Sequence, residues 1–139
     1  MSRSLLLLDA SAFWRLGSPQ LDAARHREVA DWIARGLVTA STPLLLESRA
    51  GRIPPPVDPG ELPLLWITER AERRAVDLQD QLRSAHQHLG VPPLDYLAAA
   101  IAEDHSASIL HYDADFESLA AHTDLAAVVE ALAPLGTLP

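Results

Sequence analysis

Short apolar segments alternate along this chain with longer segments of helical periodicity, and this alternation limits the possible folds more than any other feature. The apolar segments are "LLLL" (5–8), "LVTA" (37–40), "LLWI" (64–67) and "SILHY" (108–112). Largely apolar segments of this length are typical of strands that are buried on both faces of a parallel sheet. We therefore predict a three-layer α/β/α fold with a central parallel sheet of four to five strands, with "LAAVV" (125–129) as the candidate fifth strand.

Helical spacing and capping residues place helices between these strands. The predicted helices are a short one carrying Phe13, Trp14 and Leu16, one over 21–35, one capped by Thr42 with Pro43 at its first position, one over 68–83, one opening at Pro92 or Pro93, and one beginning near Asp115. The proline-rich stretch 54–63 is interpreted as a surface loop, because a boundary there would leave two pieces too small for separate cores. Residues 1–139 are therefore predicted to form a single domain.

Cysteine and lysine are both absent from the sequence, and each absence excludes a class of protein. Without cysteine there can be no disulfide, thiolate zinc site or cysteine nucleophile. Receiver domains and haloacid-dehalogenase-like phosphatases also cluster acids on a parallel sheet, but both classes need a lysine. The apolar run at 5–8 is too short for a signal peptide or a membrane span, so we expect a cytoplasmic protein without a membrane association.

Acidic side chains stand where the predicted strands end. Asp9 directly follows the first strand and Asp113 follows the fourth, so both should lie at the C-terminal edge of the sheet. Asp95 opens the helix before the fourth strand. That helix descends about 15 Å and the strand climbs about 16 Å, which returns Asp95 to the level of Asp113. Glu47 lies just over one turn into the helix after the second strand, so the four acids should converge.

Each acid also has an ordinary structural explanation. Asp9 and Asp115 could cap the helices that follow them, and Asp95 suits a positive helix N-terminus. Glu47 could be a solvated helix residue, although its neighbours in "LLLE" favour a buried face. Convergence makes these explanations insufficient, because two carboxylates about 4 Å apart repel by roughly 4 kcal/mol at an effective dielectric near 20. Without a cation the cluster would be costly or partly protonated, so we expect a metal ion, and oxygen-only ligands favour Mg²⁺ or Mn²⁺.

A hard divalent ion on a carboxylate cluster in an α/β sheet indicates phosphate chemistry. The sequence contains no competing pattern: there is no Ser-His-Asp spacing, no Walker loop and no G-x-G-x-x-G motif. We therefore expect a metal-dependent enzyme that acts on phosphate esters.

Three segments resemble the PIN-domain ribonucleases, especially the VapC-type toxins of prokaryotic toxin–antitoxin pairs. They are "LLLLDASAFWRL" (5–16), "TPLLLESRAG" (42–51) and "PPLDYLAAAIAEDHSASILHYDADFESLA" (92–120). The resemblance covers nearly the whole chain. It implies a PIN-like fold, an endoribonuclease that cleaves RNA phosphodiesters with Mg²⁺ or Mn²⁺, a homodimer, and neutralisation by a VapB-like antitoxin.

The resemblance also implies the site residues: an acidic quartet, a fifth acid beside it and a hydroxyl that supports the first acid. These are Asp9, Glu47, Asp95 and Asp113, then Asp115, then Ser11. We predict that Asp9, Asp95 and Asp113 hold the metal ion, while Glu47 either completes the site or orients the attacking water. His111, two residues before Asp113, is either a satisfied core histidine or a support for that acid.

RNA binding must rely on a few arginines, because the chain has a net charge of −8 and residues 84–139 contain no Lys or Arg. Arg15, Arg49 and Arg52 are the candidates, since they lie closest in sequence to the acids. Their alternative is plain solvation at the surface. The alternative for the whole chain is a non-catalytic PIN-like module that binds an antitoxin or RNA, and metal titration would separate it from an enzyme.

Overall fold

The computed structural model of the chain describes residues 3–139, and its five strands form one parallel sheet in the order β3-β2-β1-β4-β5. The strands are β1 (Leu6–Leu8), β2 (Val38–Ser41), β3 (Leu64–Leu65), β4 (Ser108–His111) and β5 (Val129–Ala131). The helices are α1 (Ala10–Phe13), α2 (Ala23–Ala34), α3 (Thr42–Ala50), α4 (Glu69–Ser84), α5 (Pro93–Asp104) and α6 (Ala114–His122), with a 3₁₀ turn at Pro59–Glu61. This arrangement confirms the predicted three-layer α/β/α architecture. Within residues 3–139, no helix is long and apolar enough to cross a membrane.

The central strand β1 shows why the apolar segments are continuous. Leu6 and Leu8 are fully buried in the hydrophobic cluster on one face of the sheet, whereas Leu7 is fully buried in the cluster on the other face. The first cluster includes Phe13 of α1, and the second includes Phe116 of α6. A strand with helices on both faces buries every residue, so a period of two is not visible in its sequence.

The register of β1 and β4 positions the residues that follow them. Leu8 lies opposite Leu110 in the parallel ladder. The backbone N–H of Asp9 then donates to the carbonyl of Leu110 at 3.0 Å. The segments that leave these two strands therefore start at the same edge of the sheet.

Local predictions at β3, α3 and α6 differ from the structure. Strand β3 ends at Leu65, two residues before the predicted end at Ile67. Trp66 leaves the ladder: its side chain is exposed, and its backbone carbonyl contacts His105 Nε2 at 2.9 Å. Ser41 rather than Thr42 is the N-cap of α3, and it makes no capping hydrogen bond. Asp113 rather than Asp115 caps α6, because the helix begins one residue earlier than predicted.

The fifth strand lies at Val129–Ala131 rather than at 125–129, because its position is decided by pairing with β4. Two arginines fix this edge strand to α2. Arg25 Nη2 lies 2.8 Å from the Glu130 carboxylate, and Arg3 pairs with the same carboxylate. Both guanidinium groups also lie over the ring of Trp32, at 4.0 Å for Arg3 and 5.2 Å for Arg25.

Candidate active site

Asp9 and Ser11 join the segments that follow β1 and β4. Asp9 caps α1, and its Oδ2 accepts hydrogen bonds from the Ser11 N–H at 2.9 Å and from Ser11 Oγ at 2.6 Å. Ser11 Oγ in turn accepts from the backbone N–H of Tyr112 at 2.9 Å. The serine therefore orients the Asp9 carboxylate and ties it to the segment that leads to Asp113.

Asp113 and Asp115 stand at the start of α6. Asp113 is the N-cap, and its Oδ1 accepts from the Asp115 N–H at 2.9 Å. Asp95, in the first turn of α5, is only 6% exposed. One carboxylate oxygen from each of these three residues lies within 4.8 Å of the other two. The structure thus brings Asp95 and Asp113 to the same level, as the helix and strand lengths predict.

Burial and mutual repulsion raise the proton affinity of this cluster. Burial, followed by the charges of Asp9, Asp113, Asp115 and Glu47, raises the pKa of Asp95 to about 8. Burial is also the main cause that raises the pKa of Asp9, with a further contribution from Asp113. The pKa of Asp115 is raised by burial and then by the same neighbour. These carboxylates need a cation to be ionised together at neutral pH.

Glu47 approaches the cluster from α3. Its side chain is half-buried, and burial followed by the charge of Asp9 raises its pKa. Glu47 is not among the three carboxylates of the described residues that lie within 4.8 Å of one another.

The residues fit a hard divalent cation. Asp95 Oδ2 is buried and has no hydrogen-bond partner in the part of the chain that the structure describes. A buried carboxylate oxygen without a partner is costly, and a metal ion would satisfy it. The donors are all carboxylate oxygens, which Mg²⁺ and Mn²⁺ prefer.

The three candidate RNA-binding arginines occupy different environments. Arg15 is engaged within the chain: it donates to the carbonyls of Ser11 at 2.8 Å and Pro139 at 3.1 Å, and it lies over the Tyr112 ring at 4.7 Å. Arg49 and Arg52 are exposed and form no ion pair among residues 3–139. Arg49 and Arg52 are therefore unpaired with any acid in this part of the chain, whereas Arg15 is partly exposed and already contacts backbone oxygens.

Sequence reasoning missed two groups beside the cluster. The hydroxyl of Tyr96 is buried without a partner among the described residues, and its pKa is raised by burial and then by Asp115 and Asp95. Glu117 contacts the ring of His111 at 3.0 Å and so reaches the segment before Asp113. Tyr96 could have been found as the direct neighbour of Asp95, whereas the Glu117 contact depends on how α6 packs.

The raised pKa of Asp95 predicts an unusual pH dependence for the metal-free protein. The unfolded chain releases this proton near pH 3.8 and the folded protein near pH 8, so folding takes up a proton between these values. The stability from this group is complete below pH 3.8 and is lost as the pH rises through about 8. Each tenfold difference in proton affinity is worth about 1.4 kcal/mol, so we expect a loss on the order of a few kcal/mol.

Urea unfolding in EDTA across this pH range would measure the loss. Asp95→Asn should flatten the profile, because the amide does not titrate. Equal profiles for the wild type and the variant would contradict the assignment of the raised pKa to Asp95.

Comparisons with known proteins agree with this geometry. No protein-family model matches the chain. The chain is 34% identical over 128 residues to Ribonuclease VapC2 of Mycobacterium tuberculosis (strain CDC 1551 / Oshkosh). The aligned region covers 84% of this chain and 86% of that protein.

Two solved structures share the fold. The first, VapBC-5 of Mycobacterium tuberculosis, is a member of the VapBC family of toxin–antitoxin systems. It matches with a TM-score of 0.61 at 23% identity, over 93% of this chain and 98% of that chain. The DNA-bound VapBC of Salmonella typhimurium matches with a TM-score of 0.66 at 13% identity, over 94% of this chain and 100% of that chain. The sequence relative extends over most of both chains, and the acids lie at the predicted edge of the predicted sheet. The chain therefore belongs to the VapC family of PIN-domain ribonucleases.

Proposed function

We propose that this chain is a metal-dependent endoribonuclease and the toxin of a VapBC-type toxin–antitoxin pair. The observation that carries the proposal is the acidic cluster at the C-terminal edge of the sheet, where the buried Asp95 Oδ2 has no partner among residues 3–139. Membership of the VapC family, through a relative that is itself named a ribonuclease, gives the substrate class.

The residues of the cluster have distinct roles in this proposal. Asp95 and Asp113 would hold Mg²⁺ or Mn²⁺ together with Asp9, whose Oδ2 is already oriented by Ser11. Asp115 is close enough to share the ion with Asp95 and Asp113. When bound, the ion polarises the phosphodiester and lowers the pKa of an attacking water.

Glu47 is the candidate for handling the proton of that water. Burial and Asp9 move its pKa upward, toward the range where a carboxylate works as a general base near neutral pH. Hydrolysis then needs only positioning and neutralisation of charge, so we expect no covalent intermediate. Arg49 and Arg52 would contact the RNA backbone at the rim, because they are exposed and lie on the same part of the chain as Glu47.

The proposal is tested by cleavage of single-stranded RNA with and without divalent ions. We expect EDTA to stop cleavage and Mg²⁺ or Mn²⁺ to restore it. Metal should also raise the melting temperature, because an ion that binds only the native cluster stabilises it by mass action. Cleavage that persists in EDTA would overturn the proposal. A melting temperature that metal does not change, with no cleavage, would favour the non-catalytic binding module.

The partners follow from the same family. We propose that a VapB-like antitoxin neutralises the chain, since the solved VapBC neighbours are complexes of that kind. The homodimer implied by the resemblance stays a prediction.

A further inference from the structure

His111 is the last residue of β4, and both nitrogens of its ring are engaged although the residue is fully buried. Nδ1 lies 3.1 Å from the backbone nitrogen of Asp113. Nε2 lies 3.0 Å from Oε1 of Glu117, the fourth residue of α6. The ring therefore bridges the segment that carries Asp113 and the helix that follows it.

The chemistry of these two contacts assigns the tautomer of the ring. A backbone N–H can only donate, so Nδ1 must be the acceptor in the contact with Asp113. The ring proton therefore sits on Nε2 and points at the Glu117 carboxylate. An ionised carboxylate has no proton to donate, so it is the acceptor in this contact. Glu117 thus selects the tautomer that Asp113 needs.

Packing holds the ring in this orientation. The Phe116 ring lies against it, with centroids 5.3 Å apart and an interplanar angle of 39°. On the neighbouring residue, the N–H of Tyr112 is held by Ser11 Oγ at 2.9 Å. Consecutive backbone N–H groups, of Tyr112 and Asp113, are therefore each fixed by a side chain.

This arrangement acts where three carboxylates lie close together. Asp113 and Asp115 lie with Asp95 inside 4.8 Å, and like charges at such distances repel. When these carboxylates are ionised, the position of Asp113 beside them depends on a group that holds its backbone. The His111 ring supplies the hydrogen-bond acceptor that does so.

We propose that His111 is a positioning residue, which holds Asp113 in the acidic cluster through its Nδ1 while Glu117 fixes the ring. The inference concerns the site of the proposed function and rests on that function for its activity measurements alone. The hydrogen bond itself can be tested without metal or RNA. Failure of the inference and failure of the proposed function are therefore distinguishable.

The direct test is NMR on the ¹⁵N-labelled, metal-free protein at neutral pH. We expect a nitrogen–nitrogen scalar coupling across the hydrogen bond between the Asp113 N–H and His111 Nδ1, and a ring that carries its proton on Nε2. A ring with its proton on Nδ1, or a rapidly exchanging Asp113 amide without this coupling, would overturn the inference whatever the activity.

Variants then test whether the hydrogen bond matters for the site. In His111→Asn the amide oxygen replaces Nδ1 as the acceptor, whereas His111→Leu leaves the Asp113 N–H without one. We expect His111→Leu to lower kcat by about 10–100-fold, as for other residues that orient metal ligands, with little change in KM. His111→Asn should restore most of the loss, and the exposed His122→Leu is the matched control.

Glu117→Ala keeps the proposal testable if His111→Leu does not fold, because Glu117 is about half exposed. It should lower kcat with KM unchanged and should let the ring populate both tautomers. Equal loss in His111→Asn and His111→Leu, with Glu117→Ala at wild-type kcat, would show that His111 only fills space. If the wild type proves inactive on RNA, the coupling and the metal-induced shift in melting temperature of the same variants still decide the inference.

Discussion

Asp95→Asn should abolish RNA cleavage and at the same time make the metal-free protein more stable near pH 8. The loss of activity follows from the position of Asp95, which lies with Asp113 and Asp115 at the centre of the cluster and is nearly fully buried. Removing one ligand from a catalytic ion costs several kcal/mol of transition-state stabilisation, and about 4 kcal/mol corresponds to a loss of about a thousandfold in kcat.

The gain in stability has a separate cause. Burial and four neighbouring acids disfavour the charged form of Asp95. An amide of the same shape carries no charge, so the folded state no longer bears the free-energy cost of ionising this side chain near pH 8. Most substitutions of a buried residue destabilise a protein, so activity that falls while stability rises is a specific signature. The metal-induced increase in melting temperature should be largely lost in the same variant.

Matched substitutions complete this experiment. Asp80→Asn removes one exposed negative charge from α4 and should change neither activity nor the response to metal. Asp9→Asn and Asp113→Asn should abolish cleavage as Asp95→Asn does. Asp115→Ala should cost less than Asp113→Ala, because Asp113 also caps α6. An Asp9→Ala/Asp113→Ala double variant that still cleaves RNA would refute the proposed mechanism.

Phe116→Ala should produce the largest loss of stability of the substitutions considered. Phe116 is fully buried in the hydrophobic cluster on the α6 face of the sheet and packs against the ring of His111. Truncation of a buried phenylalanine to alanine typically costs about 3–5 kcal/mol, because the surrounding side chains fill the cavity only in part. Urea unfolding, with the midpoint and slope compared to wild type, would measure it.

The exposed residue Val76 provides the control for this substitution. Val76→Ala on α4 should change the free energy of unfolding by no more than about 0.5 kcal/mol. Because Phe116 also supports the segment that carries Asp113 and Asp115, cleavage by Phe116→Ala should fall even at temperatures where the variant is folded. A loss of stability similar to that of Val76→Ala would mean that α6 is not packed as described.

The order of apolar and helical segments is enough to predict the architecture, and the acids at the strand ends are enough to predict where a site would lie. Continuously apolar strands with helices between them are sufficient to predict a parallel sheet, because such strands must be covered on both faces. The convergence of Asp95 and Asp113 follows from element lengths, since the rise per residue of a helix and of a strand is constant. The oxygen-only donor set then restricts the class of metal ion.

Packing of the folded chain sets the features that depend on which partner each group meets. The position of β5 was shifted by pairing with β4, because the ladder and not local hydrophobicity fixes the register of an edge strand. Ion pairing of Glu130 with Arg3 and Arg25 then holds that edge. These contacts leave no periodic pattern in the sequence from which they could be predicted.

The partners that a side chain meets in the folded chain also distinguish Arg15 from Arg49, and His111 from the other histidines. Arg15 lies six residues after Asp9 and Arg49 two residues after Glu47, but of the two only Arg15 donates to backbone carbonyls within residues 3–139. The sequence favours a satisfied core residue over a support for Asp113 at His111, and only the folded chain places Glu117 against its Nε2. The spacing of residues along the chain determines which groups can meet, and the packing of helices on the sheet determines which hydrogen bonds they form.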